Sequence, residues 1–329
     1  MAAGKNAIIN GGFDIWQRGT SFVPSTTAFG PDRWQIYRNT TGCTASRQSP
    51  GSTLPQFQYC GRMQRDSGNT AANSASYAMS LETSESLKYA GQTVTLSFYA
   101  RAGANFSGSG ASSIRIYLAY GTGTDQNVIS GFTGVTYLVN GTVTAITTSW
   151  ARYSFTVAVP STATQLGMEL NALFSGTAGA ADYFDVTGVQ LEIGSVATTF
   201  TRAGGTIQGE LAACQRYYQK SYNQDVTVPT NSAAPGVVYS VSGNVPNANI
   251  VSRVNFPVTM RTSPTVTIYS YATSQTSRVS DAGASDLGAN SGNSLSAGMN
   301  GFSVQNNSGG TLTASYNGFM FHYAASAEL

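Results

Sequence analysis

The chain is poor in charge. Asp, Glu, Lys and Arg make up 10% of its 329 residues, against about 25% in an ordinary soluble protein. The net charge is only +2, and no run of Lys or Arg exists to neutralise a phosphate backbone, which argues against nucleic-acid binding. No segment approaches the ~20 apolar residues of a membrane-spanning helix, so no membrane insertion is expected. The N-terminal run "MAAGKNAIINGGFDIW" carries no apolar stretch of signal-peptide length. The expected route to its final location is therefore assembly or lysis rather than secretion.

Residues for chemistry are also scarce. There is one histidine, His322, inside the aromatic strand pattern "FMFHYAAS", where it reads as a face residue of a sheet rather than a base. A Ser-His-Asp arrangement would need it, and no G-x-S-x-G elbow is present. Three cysteines, Cys43, Cys60 and Cys214, are too few and too odd in number for a disulfide framework. There is no Cys/His cluster for zinc, no P-loop and no dinucleotide fingerprint. Paired carboxylates are harder to dismiss, because a glycosidase needs only two. Glu169, Asp182, Asp185 and Glu192 are the candidates on strands, but the expectation is that the protein is not an enzyme.

The chain is rich in Gly, Ser, Thr and Asn, and 18 Tyr, 15 Phe and 3 Trp supply ample core. Strand patterns are dense. In "TVTLSFYARA" (93–102), Val94, Leu96, Phe98 and Ala100 alternate with Thr95, Ser97, Tyr99 and Arg101. "SIRIYLAYG" (113–121), "WARYSFTVAVP" (150–160), "QLGMELNALFSG" (165–176) and "YFDVTGVQLEIG" (183–194) continue the series. Period-two alternation marks strands with one buried face. Strands separated by turn signals at this spacing predict an all-β chain: an N-terminal jelly-roll sandwich over 1–205, a short connecting helix over 206–222 and a C-terminal β-sandwich over 223–329. In the third segment, 236–243, 250–258, 263–273, 301–306 and 312–329 read as strands, and 274–300 as a long loop.

The helix prediction rests on "TIQGELAACQRYYQKS". Ile207, Leu211, Cys214 and Tyr218 are spaced as a heptad-like stripe. A helix this short is marginal alone, so the stripe is expected to pack either on its own domain or on copies of itself about a trimer axis; the trimer is the favoured alternative. Trp16 and Trp34 are expected to be core residues with their N–H groups paired.

Four stretches carry a resemblance: "NAIINGGFDIWQRGTSF…FGPDRWQIYR", "GQTVTLSFYARAG", "WARYSFTVAVPSTAT" and "DYFDVTGVQLEIGSVATTFTRAGGTIQGELAACQRYYQKS". In order and spacing they resemble a module of bacteriophage tail-fibre and related virion proteins, over residues 6–222. The stretch "VNFPVTMRTSPTVTIYS…FHYAASAEL" resembles the terminal domain that often follows it. The resemblance implies a carbohydrate-binding jelly roll in a virion fibre or spike, non-catalytic, partnered by host surface glycan, by other virion proteins and by itself as a homotrimer. A purely structural virion role is the alternative, and a depolymerase a more distant one. In such families a structural Ca²⁺ is common. Here no dense Asp/Asn cluster marks a cation site, and Asn10, Asp182 and Glu192 are the residues that could meet to form one. No other cofactor is expected.

A sugar presents C–H faces to aromatic rings and hydroxyls to polar side chains. The strand faces opposite the apolar ones carry these types: Tyr99, Arg101, Arg115, Tyr117, Trp150, Arg152, Glu169 and Asn171. If their strands share one sheet, they form a single platform. The same residue types are enriched at protein interfaces, so the platform is expected to serve either a glycan or a neighbouring subunit.

Overall fold

The computed structural model describes the chain except for residues 1–3, 40–41, 111, 225, 232–235, 242–250, 282, 289–290 and 306–317. It divides into two compact units, 1–16 with 20–213 and 329, and 17–19 with 214–328. The division falls within a helix rather than ahead of it at 205, and the short 17–19 segment belongs to the second unit.

The first unit contains β1 (Ser21–Phe22), β2 (Thr27–Phe29), β3 (Gln35–Arg38), β4 (Cys43–Gln48), β5 (Cys60–Arg65), β6 (Ser74–Ser80), a short helix α1 (Thr83–Ser86), β7 (Thr93–Ala102), β8 (Ser113–Gly121), β9 (Thr136–Ala145), β10 (Ala151–Ala158), β11 (Gln165–Leu173) and β12 (Tyr183–Ile193). One six-stranded sheet, hereafter the front sheet, runs β2-β3-β6-β11-β8-β9. The other, the back sheet, runs β1-β4-β5-β12-β7-β10. Every pairing in the two sheets is antiparallel.

The alternation read from the sequence sets which faces meet. Val94, Leu96, Phe98 and Ala100 of β7 and Phe184, Val186 and Leu191 of β12 share one core with Ile114, Ile116 and Leu118 of β8 and Leu166, Met168 and Leu170 of β11. Each Val, Leu, Ile, Phe or Met among these, fully buried, contributes about 1.5–3 kcal/mol relative to exposure. Trp34 and Trp16 belong to this core, with indole N–H groups donating to Asn10 O (3.0 Å) and Phe13 O (2.6 Å). The chain is an all-β sandwich here, as the alternation predicts.

One break in β12 is enforced by its neighbours. The register shifts between Thr187 and Gln190. Gly188 adopts φ +63°, and a Cβ there would lie 2.5 Å from Phe57 Cζ. Only glycine satisfies both conditions.

The connecting helix is shorter than predicted. α2 spans Ile207–Gln215, and the chain turns into a strand, β13 (Tyr218–Lys220). Tyr218 is therefore not on the helix at all. Cys214 and Tyr218 are 0% and 6% exposed, whereas Ile207 is 43% exposed. The four residues do not form one outward stripe, because the helix ends a turn before the spacing would complete it. Cys214 and Tyr218 are covered within one chain, while Ile207 stays exposed. The start of α2 is fixed instead by Glu210, which accepts hydrogen bonds from the backbone N–H of Gly204 (2.7 Å) and of Asn10. Gly204 and Gly209 touch so closely that a Cβ on Gly209 would lie 2.1 Å from Gly204 O.

The second unit adds β14 (Val238–Val241), β15 (Val251–Asn255), β16 (Thr265–Ser270), β17 (Ser280–Asp281), β18 (Asn293–Gly298), β19 (Gly301–Gln305) and β20 (Gly318–Ser326). β20 is the hub of one sheet, pairing with β13, β14, β16 and β17; β15-β19-β18 form another. Their core includes Ile268, Phe302, Phe319, Phe321 and Tyr323. The segment 274–300 is not one long loop: β17 and β18 lie in it. Its Ser/Gly/Asn composition hides β18, whose ladder to β19 is interrupted after Leu295. Parts of the strands predicted at 236–243, 250–258, 301–306 and 312–329 lie outside the described residues. His322 is buried, stacked on Tyr222 at 3.8 Å, with Nδ1 2.8 Å from Ser221 Oγ.

Candidate functional site

The eight residues picked out from the sequence do not form one platform. Tyr99 and Arg101 lie on β7 and Arg152 on β10, with Trp150 just ahead of β10, on the outer face of the back sheet. Arg115 and Tyr117 lie on β8, and Glu169 and Asn171 on β11, on the outer face of the front sheet. Strands that follow one another in sequence, β7 and β8, belong to opposite sheets, so the shared alternation divides the set in two.

The back-sheet group is held by its surroundings. Asp185, on β12, is fully buried and accepts from Arg62 Nε and Nη2 (2.7 and 3.0 Å) and from Arg101 Nε (2.9 Å). The Arg101 guanidinium also lies 4.8 Å from the Trp150 ring, and the Trp150 N–H donates to Pro50 O at 2.9 Å. Arg152 donates to Ser97 Oγ (3.0 Å) and to Thr198 O. The Tyr99 ring packs on Phe57, which packs on Phe200. These side chains clamp the 50–57 and 198–200 segments against the sheet.

The front-sheet group has a different character. Tyr117 stands opposite Glu169, and Arg115 opposite Asn171. The same rows continue through β6 and β3: Asn171 faces Ser76, which faces Tyr37, and Glu169 faces Ala78, which faces Gln35. On the other side, Tyr137 of β9 meets Tyr117 edge to face, with ring centroids 5.7 Å apart and Tyr137 45% exposed. Gly141 makes room for this arrangement, since a Cβ there would lie 2.9 Å from Tyr117 Oη. Asn171 donates to Glu169 Oε1 at 2.8 Å. Several polar atoms on this face, Gln35 Oε1, Ser76 Oγ and Arg115 Nε, are buried and have no hydrogen-bond partner among the described residues. Buried polar groups are nearly always paired, and enclosed atoms of this kind are places for ordered water within the sheet surface. Sequence reasoning missed Gln35, Tyr37, Ser76 and Tyr137. The alternation of Gln35 and Tyr37 with Trp34 and Ile36 was the signal for the first two.

The residues considered for a cation are distributed among separate networks. Asn10 binds the backbone of Ile15 and Asp32. Asp182 accepts from Arg65 (3.3 Å) and from Ser107 N–H and O–H (2.8 Å each). Glu192 accepts from Thr198 N (2.8 Å) and Oγ1 (2.6 Å) and from Gln190, beside Lys5. Burial alone would raise the Glu192 carboxyl, but the Thr198, Gln190 and Lys5 bonds outweigh it and hold the group below its ordinary 4.5. Burial raises the Glu210 carboxyl, its two backbone donors notwithstanding. Among the described residues, no group of three His, Cys, Asp or Glu is placed to hold a metal. Cys43 and Cys60 are free and buried, and burial pushes the Cys43 thiol up to about 12.

No protein-family model matches the chain, and no curated protein does. Solved structures with a similar sandwich include a CBM4 module (16% identity, TM-score 0.36, 56% of this chain and 98% of that one). TmCBM61 in complex with β-1,4-galactotriose is another (12%, 0.33, 57% and 99%). The enzymatically active domain of tailspike protein 4 from bacteriophage CBA120 also matches (10%, 0.32, 57% of this chain and 21% of that one). These similar structures include carbohydrate-binding modules and a phage tailspike, at a similarity too low to carry any argument about what this chain binds.

Proposed function

We propose that this chain is a non-catalytic appendage protein of a bacteriophage virion, a fibre or spike assembled in the host cytoplasm, and that its first unit binds host surface polysaccharide on the outer face of the front sheet. The observation that carries the binding is the face itself. Tyr117 and Tyr137 offer ring surface, and the half-buried side chains of Arg115, Glu169 and Gln35 beside them offer polar groups. Rings take the C–H faces of a sugar and the polar rim takes its hydroxyls. A non-catalytic role is supported by the carboxylates: Asp182, Asp185 and Glu192 are each ion-paired, and Glu169 lies on the opposite sheet. The virion setting is supported by the sequence motifs at 6–222.

The rival is a structural virion component whose front sheet meets another protein; the exposed Tyr137 and Val143 on edge strand β9 favour it. Labelled protein is to be added to host cells with intact or stripped surface polysaccharide. Saturable binding, lost on stripping and weakened by Tyr117→Ala, is expected. Absence of binding by the folded protein would sink the adhesin reading and leave the structural one.

A further inference from the structure

The two sheets of the first unit end in four edge strands, β1 and β10 on the back sheet and β2 and β9 on the front sheet. Edge strands present unpaired backbone N–H and C=O groups, and proteins blunt them with short strands, bulges, charges or proline. Three of the four are blunted here. β1 spans only Ser21–Phe22 and β2 only Thr27–Phe29. β9 is broken by register shifts against β8, with Gly141 at φ +60°. β10 is different. It runs opposite β7 from Ala151 to Ala158 without a bulge, and it contains no proline. Its one charge, Arg152, is turned onto Ser97 Oγ and Thr198 O.

Which groups of β10 are unspent follows from the ladder. Val159 N donates to Gln92 O, so alternate residues back along the strand, Val157, Phe155 and Tyr153, turn their N–H and C=O groups to β7. Arg152, Ser154, Thr156 and Ala158 turn theirs the other way, where no backbone partner exists among the described residues. Ser154, Thr156 and Ala158 are exposed. Tyr153, Phe155 and Val157 lie on the core face but are only partly buried, so the flank of the core beyond β10 stays open to solvent.

The strand is its own complement. Two copies paired antiparallel about a two-fold axis through Phe155 place Phe155 opposite Phe155 and Tyr153 opposite Val157 on the core face. On the other face Ser154 stands opposite Thr156, and Arg152 opposite Ala158. The outward N–H and C=O groups meet in this register, apolar side chains meet apolar ones, and Arg152 does not face its own copy. Aromatic and β-branched cross-strand pairs without opposed like charges favour such pairing.

We propose that β10 is the contact between two copies of this chain, which join into one continuous back sheet. The contact uses an edge rather than an outer face, so it does not rest on the glycan reading.

The test is sedimentation equilibrium of the full chain over a dilution series, and a monomer–dimer equilibrium is expected. Ser154→Pro removes a donor that points away from β7, so the ladder within the chain keeps its bonds. It is expected to weaken the dimer by about tenfold or more, with the circular dichroism of the folded chain retained. Ser154→Ala keeps the N–H and should leave the dimer intact. Phe155→Cys places a thiol opposite its own copy, with Cα atoms about 4.5 Å apart, a span a disulfide bridges. An added oxidant is expected to give a covalent dimer on a non-reducing gel; the native Cys43, Cys60 and Cys214 are buried. Should Ser154→Pro unfold the chain, the cross-link decides alone. A chain that is monomeric at every dilution overturns the proposal. So does an oligomer of any size that is indifferent to Ser154→Pro and not cross-linked through position 155.

Discussion

Tyr117 and Glu169 stand opposite each other across the β8–β11 ladder, on the side of the front sheet away from the core. An aromatic ring and an acceptor at adjacent register positions can engage the face and the rim of one sugar ring together. Tyr117→Ala is expected to lower carbohydrate affinity by about tenfold, the loss of ~1.4 kcal/mol, and to move stability by no more than about 0.5 kcal/mol. Calorimetry and a denaturant titration of the same sample separate the two.

Arg115→Ala should act differently. Among the described residues its enclosed Nε has no hydrogen-bond partner, so removing the side chain takes a cation from the face without orphaning a protein group. Affinity falls and the urea midpoint stays where it was. A large drop in the midpoint would identify Arg115 as a packing residue.

Asp185→Asn is the counterpart on the back sheet. The carboxylate is buried and balances Arg62 and Arg101. Removing its charge leaves two partly buried guanidinium groups without their anion, a change that costs about 3 kcal/mol or more. A clear fall in the urea midpoint is expected, with front-face affinity retained in the fraction that remains folded.

Acid should destabilise the first unit in part through Glu192. Its folded pKa is depressed, so the stability it contributes is fully present above its ordinary 4.5 and is lost as pH falls through the lower folded value. Glu210 has the opposite sign: its folded pKa is raised, so its contribution is present below the ordinary 4.5 and lost as pH rises through the folded value. Urea midpoints measured from neutral pH downward should show a shallower acid decline for Glu192→Gln than for the parent chain.

Gly188→Ala tests the bulge in β12. Positive φ and the 2.5 Å approach to Phe57 both oppose a side chain, and a loss of about 1–2 kcal/mol is expected from the backbone conformation alone. Phe57→Ala in the same chain should relieve the contact but not the φ cost, which a double-mutant cycle would resolve.

Much of the sandwich is legible in the alternation itself. Residues 93–102 and 113–121 coincide with β7 and β8, with the expected faces inward. Alternation says which side of a strand is buried, but it does not say which sheet the strand joins. That is decided by pairings between residues far apart in sequence, such as Asn171 with Ser76, and it is why alternation leaves open whether Tyr99 and Tyr117 share a face. The heptad spacing at Ile207 failed for a local reason: Glu210 pins the first turn of α2 and Tyr218 is drawn into a ladder with Ser326. Gln35 and Ser76 escaped because their meaning lies in unpaired atoms, and a sequence does not record who pairs with whom.

The two sheets share a single core, so their outer faces look in opposite directions. Whatever lies on the front face leaves the Asp185 clamp of the back sheet uncovered, so a change at Asp185 reports on folding while a change at Tyr117 reports on binding.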